Sequence, residues 1–281
     1  MAWWKPTTAV LCLFALFSEA SAVEITVGER RIEVPLPEGF VVLTPEMSAY
    51  YESLNAYVGP NNVRFLTLIR QEEADAIGRD EDVEIVRYIN IESERSATNA
   101  SVSSAQFAEL RQVIKGQLDE LYAQAEEQLP QLVGSGNETA SEAMNADVNV
   151  QVGGLRPLPV HIDRADAISN SMYANVGGLV NGEDLGSSTI AATTQIQHVK
   201  DKILFFYVYA DQEDLEWTRE TADALASAVV AQNPLAAAER EAAENSGSSG
   251  FNWDSVMIGG IIGGVVGLLS YLRRRRREDA D

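Results

Sequence analysis

Runs and alternations of apolar residues divide this chain into a folded middle and two apolar ends. Ile25–Val27 and Ile32–Val34 flank a turn containing Gly28 and read as a hairpin, and Phe40–Leu43 adds a short apolar strand. Thr44 is placed to cap a helix starting at Pro45, where a missing N–H costs nothing, and Gly59-Pro60 marks its end. Arg64–Ile69 and Val83–Ile91 read as strands joined by an acidic connection. The longest helical pattern is Ala105–Leu129, where Phe107, Leu110, Ile114, Leu118, Leu121 and Ala125 recur at steps of three and four. Pro130 is expected to close that helix, with residues 134–146 as a polar, exposed loop.

The second half is strand-rich. Val148, Val150 and Val152 alternate with polar residues, and Leu155–Ile162 and Ala167–Val176 are further strand candidates. Thr189–Val199 and Ile203–Ala210 form the clearest hairpin, turned by Lys200-Asp201-Lys202. Ile203–Tyr209 has no polar alternation, so that strand needs cover on both faces. An acidic first turn, Asp211–Glu216, opens a last helix that runs past Trp217 and Leu225 to about Ala231. The pattern predicts an α+β domain over residues 23–233: a mainly antiparallel sheet layered with at least three helices.

The ends carry addressing signals. Residues 1–22 read as a signal peptide: Lys5, an apolar stretch Ala9–Phe17, then Ala20-Ser21-Ala22 as the cleavage site. Residues 234–252 read as a stalk and flexible linker, and 253–272 as a transmembrane helix. Its apolar core, Val256–Leu272, just reaches across the hydrocarbon at about 1.5 Å per residue. Trp253 and Tyr271 sit at interfacial depth, and Arg273, Arg274, Arg275, Arg276 and Arg277 anchor the topology with the tail, 273–281, in the cytoplasm. The expectation is a single-pass protein of a bacterial inner membrane with its domain in the periplasm. Gly259, Gly263 and Gly267, with Gly260 and Gly264, recur every four residues and form a face for helix association. The partners expected are therefore the lipid bilayer and, through that face, a second copy or another membrane protein. A competing reading takes the Ser/Gly stretch, apolar segment and arginines as a sorting signal removed by an intramembrane protease.

Charge and cysteine content narrow the chemistry. Asp and Glu number 42 against 21 Lys and Arg, a net charge of −21, which repels phosphate backbones and argues against nucleic acid as a partner. Cys12 is the only cysteine and lies in the segment expected to be removed, so the mature chain would hold no disulfide and no thiol nucleophile.

The element order also carries a likeness. With its N-terminal hairpin, its long apolar hairpin and a closing helix bearing Trp217 and Asn233, the chain resembles PsbP-like α-β-α domains, which include extrinsic lumenal subunits of photosystem II. The resemblance covers most of 23–233. It implies a non-catalytic accessory protein that docks onto membrane complexes, sometimes with metal ions. A C-terminal anchor departs from that pattern.

Catalytic signatures are sparse. No H-E-x-x-H, Gly-Lys pair or G-x-S-x-G occurs, and Gly134-x-Gly136 is followed by Thr139 where a dinucleotide fingerprint needs a third glycine. His161 and His198 are the available imidazoles. Strand parity puts His161 and Asp163 on one face as a catalytic acid–base pair, the basis of an alternative reading as an envelope hydrolase. His198 fits a rim or core histidine, and Lys115, Lys200 and Lys202 read as surface and turn residues. Asp80, Asp82 and Glu84 are the metal candidates, at alternating positions of an EF-hand loop, but Ile85 stands where the turn demands glycine. A solvated acidic turn explains them as well. No cofactor is expected. The favoured function is a membrane-anchored extracytoplasmic interaction or assembly-accessory domain.

Overall fold

A computed structural model describes residues 21–239 except 57, 60, 82 and 84, together with 241, 260 and 264. The first hairpin, β1 (Ala22–Val27) and β2 (Arg30–Pro35), forms a two-stranded sheet of its own. Gly28 makes its turn at φ +59°, and a β-carbon there would lie 2.4 Å from the Thr98 carbonyl oxygen, so no other residue fits. Then follow β3 (Phe40–Val42), a 3₁₀ turn, α1 (Ser48–Asn55), β4 (Asn62–Arg70), α2 (Gln71–Ile77), β5 (Tyr88–Glu94) and α3 (Arg95–Asn99). The chain continues through α4 (Ser104–Met144), β6 (Val148–Pro157), β7 (Ile162–Arg164), β8 (Ala167–Val180), β9 (Glu183–Val199) and β10 (Lys202–Asp211), and closes with α5 (Leu215–Gln232).

Eight strands form the main sheet, in the order β3-β4-β5-β10-β9-β8-β6, with β7 paired beside β8. All of its described pairings are antiparallel. The expected α+β class and mainly antiparallel sheet are therefore present. Strand β10, the most apolar in the sequence, lies inside the sheet between β5 and β9. Leu204, Phe206 and Val208 face α5 and the first hairpin, packing with Ala222, Leu225, Ala226 and Val229 and with Ile25, Val27, Ile32 and Val34. Ile203, Phe205, Tyr207 and Tyr209 face the other way, into the core shared with Phe107, Leu110, Ile114, Leu121 and Leu129 of α4.

Polar clamps fix these layers. Asn233, just past α5, donates to the Glu33 carbonyl at 2.7 Å and accepts from the Glu33 N–H at 2.9 Å, pinning the helix end to β2. At the β9–β10 turn, Asp201 accepts from Arg30 and from Ser101, each at 2.7 Å. Burial raises the Asp201 carboxyl, but these two donors outweigh it and hold the pKa below its ordinary value. Lys202, expected on the surface, is fully buried and bonds the Ala100 carbonyl and Glu29.

Local expectations at α4 and β5 are corrected. Helix α4 does not stop at Pro130 but runs 41 residues through it to Met144, and the supposed loop 134–146 is mostly its last turns. One missing N–H is tolerated because the polar stretch beyond finds partners on β6. Asn137 donates to the Val150 carbonyl and accepts from its N–H, both at 3.0 Å, while the Ser141 hydroxyl accepts from the Val148 N–H. Val133 and Ala140 carry the buried stripe onward, and Asn145 ends it in the left-handed region at φ 48°. The strand expected from Val83 begins only at Tyr88, and the acidic connection before it contains α2. Among the described residues no helix is long and apolar enough to cross a membrane. The expected signal peptide and span fall outside those residues, except for residues 21 and 22 and Gly260 and Gly264.

The Asn137 clamp gives a direct check on the extension of α4. Asn137→Ala strips two bonds from a backbone segment and should lower the urea-unfolding free energy by roughly 1–3 kcal/mol. A change of only a few tenths would mean that residues 134–144 do not dock as helix.

Candidate functional site

Antiparallel register determines which side chains meet on the inner face of the sheet, the face shared with α4. Phe205 lies opposite Glu92 and Ile196, Tyr207 opposite Asn90 and Thr194, and Tyr209 opposite Tyr88 and Ala192. Next along, Asn170 pairs with Thr194, and Arg64 with Glu92. A belt of polar groups therefore crosses an otherwise apolar surface. Tyr88 and Tyr209 stack with centroids 4.5 Å apart, and Phe205 and Tyr207 at 5.9 Å.

The belt is largely satisfied from within. Asn62 donates to Glu92 at 2.8 Å, Thr67 to Asn90 at 2.7 Å, and Asn170 to the Tyr122 hydroxyl of α4 at 2.6 Å. Arg64 donates to Asn55 and lies over the Tyr51 ring at 5.6 Å. Burial pushes the Glu92 carboxyl up to about 7, against the pull of Asn62 and Arg64. Burial also raises the Tyr207 hydroxyl well above its ordinary value, with Glu92 adding to the effect. Tyr207 donates to the carbonyl of Gly260 at 2.7 Å.

The expected acid–base pair is not assembled. Asp163 lies between Arg111 and Lys115 of α4, and these partners, Lys115 foremost, hold its carboxyl below the usual range. His161 has Arg219 and Asp223 of α5 as its charged neighbours, and burial, then Arg219, pulls its imidazole down to about 4. Strand parity fails because β7 begins at Ile162, so His161 precedes the strand on which the argument relied. Neither ring nitrogen of His161 has a hydrogen-bond partner among the described residues. His198 is structural: its Nε2 bonds the Val102 carbonyl at 2.7 Å and its ring stacks on Phe107 at 5.3 Å.

Of the metal candidates, only Asp80 is described, in the left-handed region at φ 57°; Asp82 and Glu84 lie outside the described residues. Among those residues no cluster of three or more His, Cys, Asp or Glu could hold an ion. Of the association face, Gly260 and Gly264 are described, and both lie against the sheet; Gly259, Gly263, Gly267 and the five arginines fall outside.

A groove of about 450 Å³ opens on the outer surface, where Phe40, Arg70, Arg87 and Trp217 meet Glu38, Glu72 and Asp75. Trp217 stacks on Phe40 at 6.2 Å and carries the Arg87 guanidinium at 4.7 Å, itself held by Asp214 at 2.8 Å. Sequence reading missed this groove because its walls come from β3, the β4–α2 junction, the entry to β5 and α5. The buried Glu92 was equally hidden: Asn90, Glu92 and Glu94 alternate as on a strand with one wet face, yet β5 is interior.

No protein-family model matches the chain, and no curated protein does. Among solved structures it is similar to the solution structure of cyanobacterial PsbP (CyanoP) from Synechocystis sp. PCC 6803. The match covers 74% of this chain and 91% of that one, at 11% identity and a TM-score of 0.28. It names the family that the element order resembles, and no residue role passes from it to this chain.

Glu92 makes stability depend on pH in a definite direction. Its native pKa of about 7 exceeds the ordinary 4.5, so the folded state holds the proton more tightly than the unfolded chain. Its stabilising contribution is complete below about 4.5 and is lost as pH rises through about 7. Glu92→Gln should flatten the denaturant-derived stability between those pH values, removing a total change on the order of 3 kcal/mol across that window. An unchanged slope would show that Glu92 titrates normally.

Proposed function

We propose that the chain is a membrane-anchored, extracytoplasmic interaction or assembly-accessory domain, tethered in a bacterial inner membrane with its folded part in the periplasm. The reading joins the addressing signals at the two ends of the sequence to the surface of the domain between them. The observation that carries it is the open groove of Trp217, Phe40 and Arg87. Tryptophan and arginine are the side chains that most often dominate binding at protein interfaces, because each covers much apolar area and keeps a directed polar group. Here both are held in place before any partner arrives, Trp217 by Phe40 and Arg87 by Asp214. Pre-ordered side chains lose less entropy on binding.

Beyond the Arg70–Glu72 ion pair, Glu38 and Asp75 leave the rim acidic and favour a partner with a basic or neutral contact surface over an anionic one. The hydrolase alternative gains nothing from the separated His161 and Asp163. The flexible linker expected at 234–252 would let the domain search the space above the bilayer.

Affinity capture of the tagged full-length protein from detergent extracts at native expression tests this reading. A defined set of envelope proteins should be recovered, and Arg87→Ala should deplete it severalfold while the melting temperature stays within a few degrees. Recovery of the bait alone, or an Arg87→Ala profile identical to wild type, would contradict it.

A further inference from the structure

The inner face of the sheet around Phe205, Tyr207 and Thr194 has an occupant from the same chain. Gly260 and Gly264 are helical, one turn apart and buried. A β-carbon at Gly260 would lie 2.9 Å from the Phe205 ring, and one at Gly264 would lie 2.9 Å from the Thr194 hydroxyl and 3.3 Å from the Tyr207 ring. The contacting surface at both positions is bare backbone. The Tyr207 hydroxyl supplies a second and independent link, since it donates to the Gly260 carbonyl at 2.7 Å.

We infer that this face is a receptor groove for the glycine-faced helix of the chain's own C-terminal segment, a docked state that competes with insertion of that segment into the bilayer. The docking is independent of the proposed function; only the competing state rests on the proposed anchor. Glycine every fourth residue lets the helix axis approach the rings closely, as it would allow approach to a second membrane helix. One strip cannot serve both surfaces at once. The polar belt distinguishes them, because the sheet presents Tyr207 as a second donor to the Gly260 carbonyl, beyond the bond a helical carbonyl accepts within its own helix, and lipid tails present none. Covalent continuity fixes the occupant: residues 233–259 join α5 to Gly260, and even a partly extended chain of that length spans the domain easily.

Disulfide trapping tests the inference in the full-length chain. In a Cys12→Ser background, Thr194→Cys and Gly264→Cys place two thiols within bonding reach, whereas Leu179→Cys with Gly264→Cys pairs the segment with an exposed strand position. Mild oxidation should close most of the first pair within one chain and little of the second, and adding Gly260→Leu should abolish closure. Closure no greater than in the Leu179 pair would overturn the inference, as would a disulfide joining two chains, read as doubled mass. A second arm leaves the sheet untouched: Gly260→Leu alone should raise binding of an apolar dye severalfold and speed proteolysis within 233–259. Unchanged dye binding and cleavage would likewise overturn it. Neither arm reads partner recovery, so its failure is separate from failure of the interaction reading.

Discussion

The structure depends on one strand with no exposed face. From Lys202 to Ala210 every side chain of β10 is buried, and both of its edges are paired, so its removal from water is complete. Burying a large apolar side chain contributes about 1.5–3 kcal/mol, and Leu204, Phe205, Phe206, Tyr207, Val208 and Tyr209 occur consecutively. A strand of this kind cannot be left half covered. It requires a layer on each side, and the rest of the chain is arranged as those layers.

The two layers are built differently. On the α5 side the β10 side chains meet apolar partners, the polar groups lie on β8 and β9, where Thr193 bonds Thr218 and Ser171 accepts from Arg219, and Asn233 and the Arg30–Asp201 pair fasten the first hairpin. The α4 side carries hydroxyls, amides and a carboxyl in its middle, at Tyr207, Asn170, Asn62 and Glu92. Buried polar groups are costly unless paired. Each added partner therefore restricts what can lie on that face, and a helix presenting bare backbone carbonyls meets the restriction better than one covered in aliphatic side chains.

Periodicity made much of this legible. The β9–β10 hairpin, the first hairpin and the final helix follow from alternation, turn residues and an acidic first turn, and the need for cover on both faces of Ile203–Tyr209 follows from its unbroken apolarity. The rest was hidden for physical reasons. Pro130 and a run of Gly, Ser and Asn predict a helix end, but Asn137 and Ser141 exchange hydrogen bonds with β6 instead of with water. Glu92 has no local signature, because only the strand order shows that β4 and β10 enclose β5. His161 and Asp163 were joined by a parity rule that applies only inside a strand, and His161 lies one residue outside it. The groove at Trp217 assembles from four distant segments and has no local signature.

Native-state hydrogen exchange tests most directly whether β10 is the element on which the fold depends. Backbone amides from Leu204 to Ala210 should exchange only through global unfolding, with free energies equal to that from denaturant melts and unchanged when the edge strands β3 and β6 open. If those amides exchanged as fast as amides in β3 or β6, β10 would not be the buried centre, and this account of the fold would be contradicted.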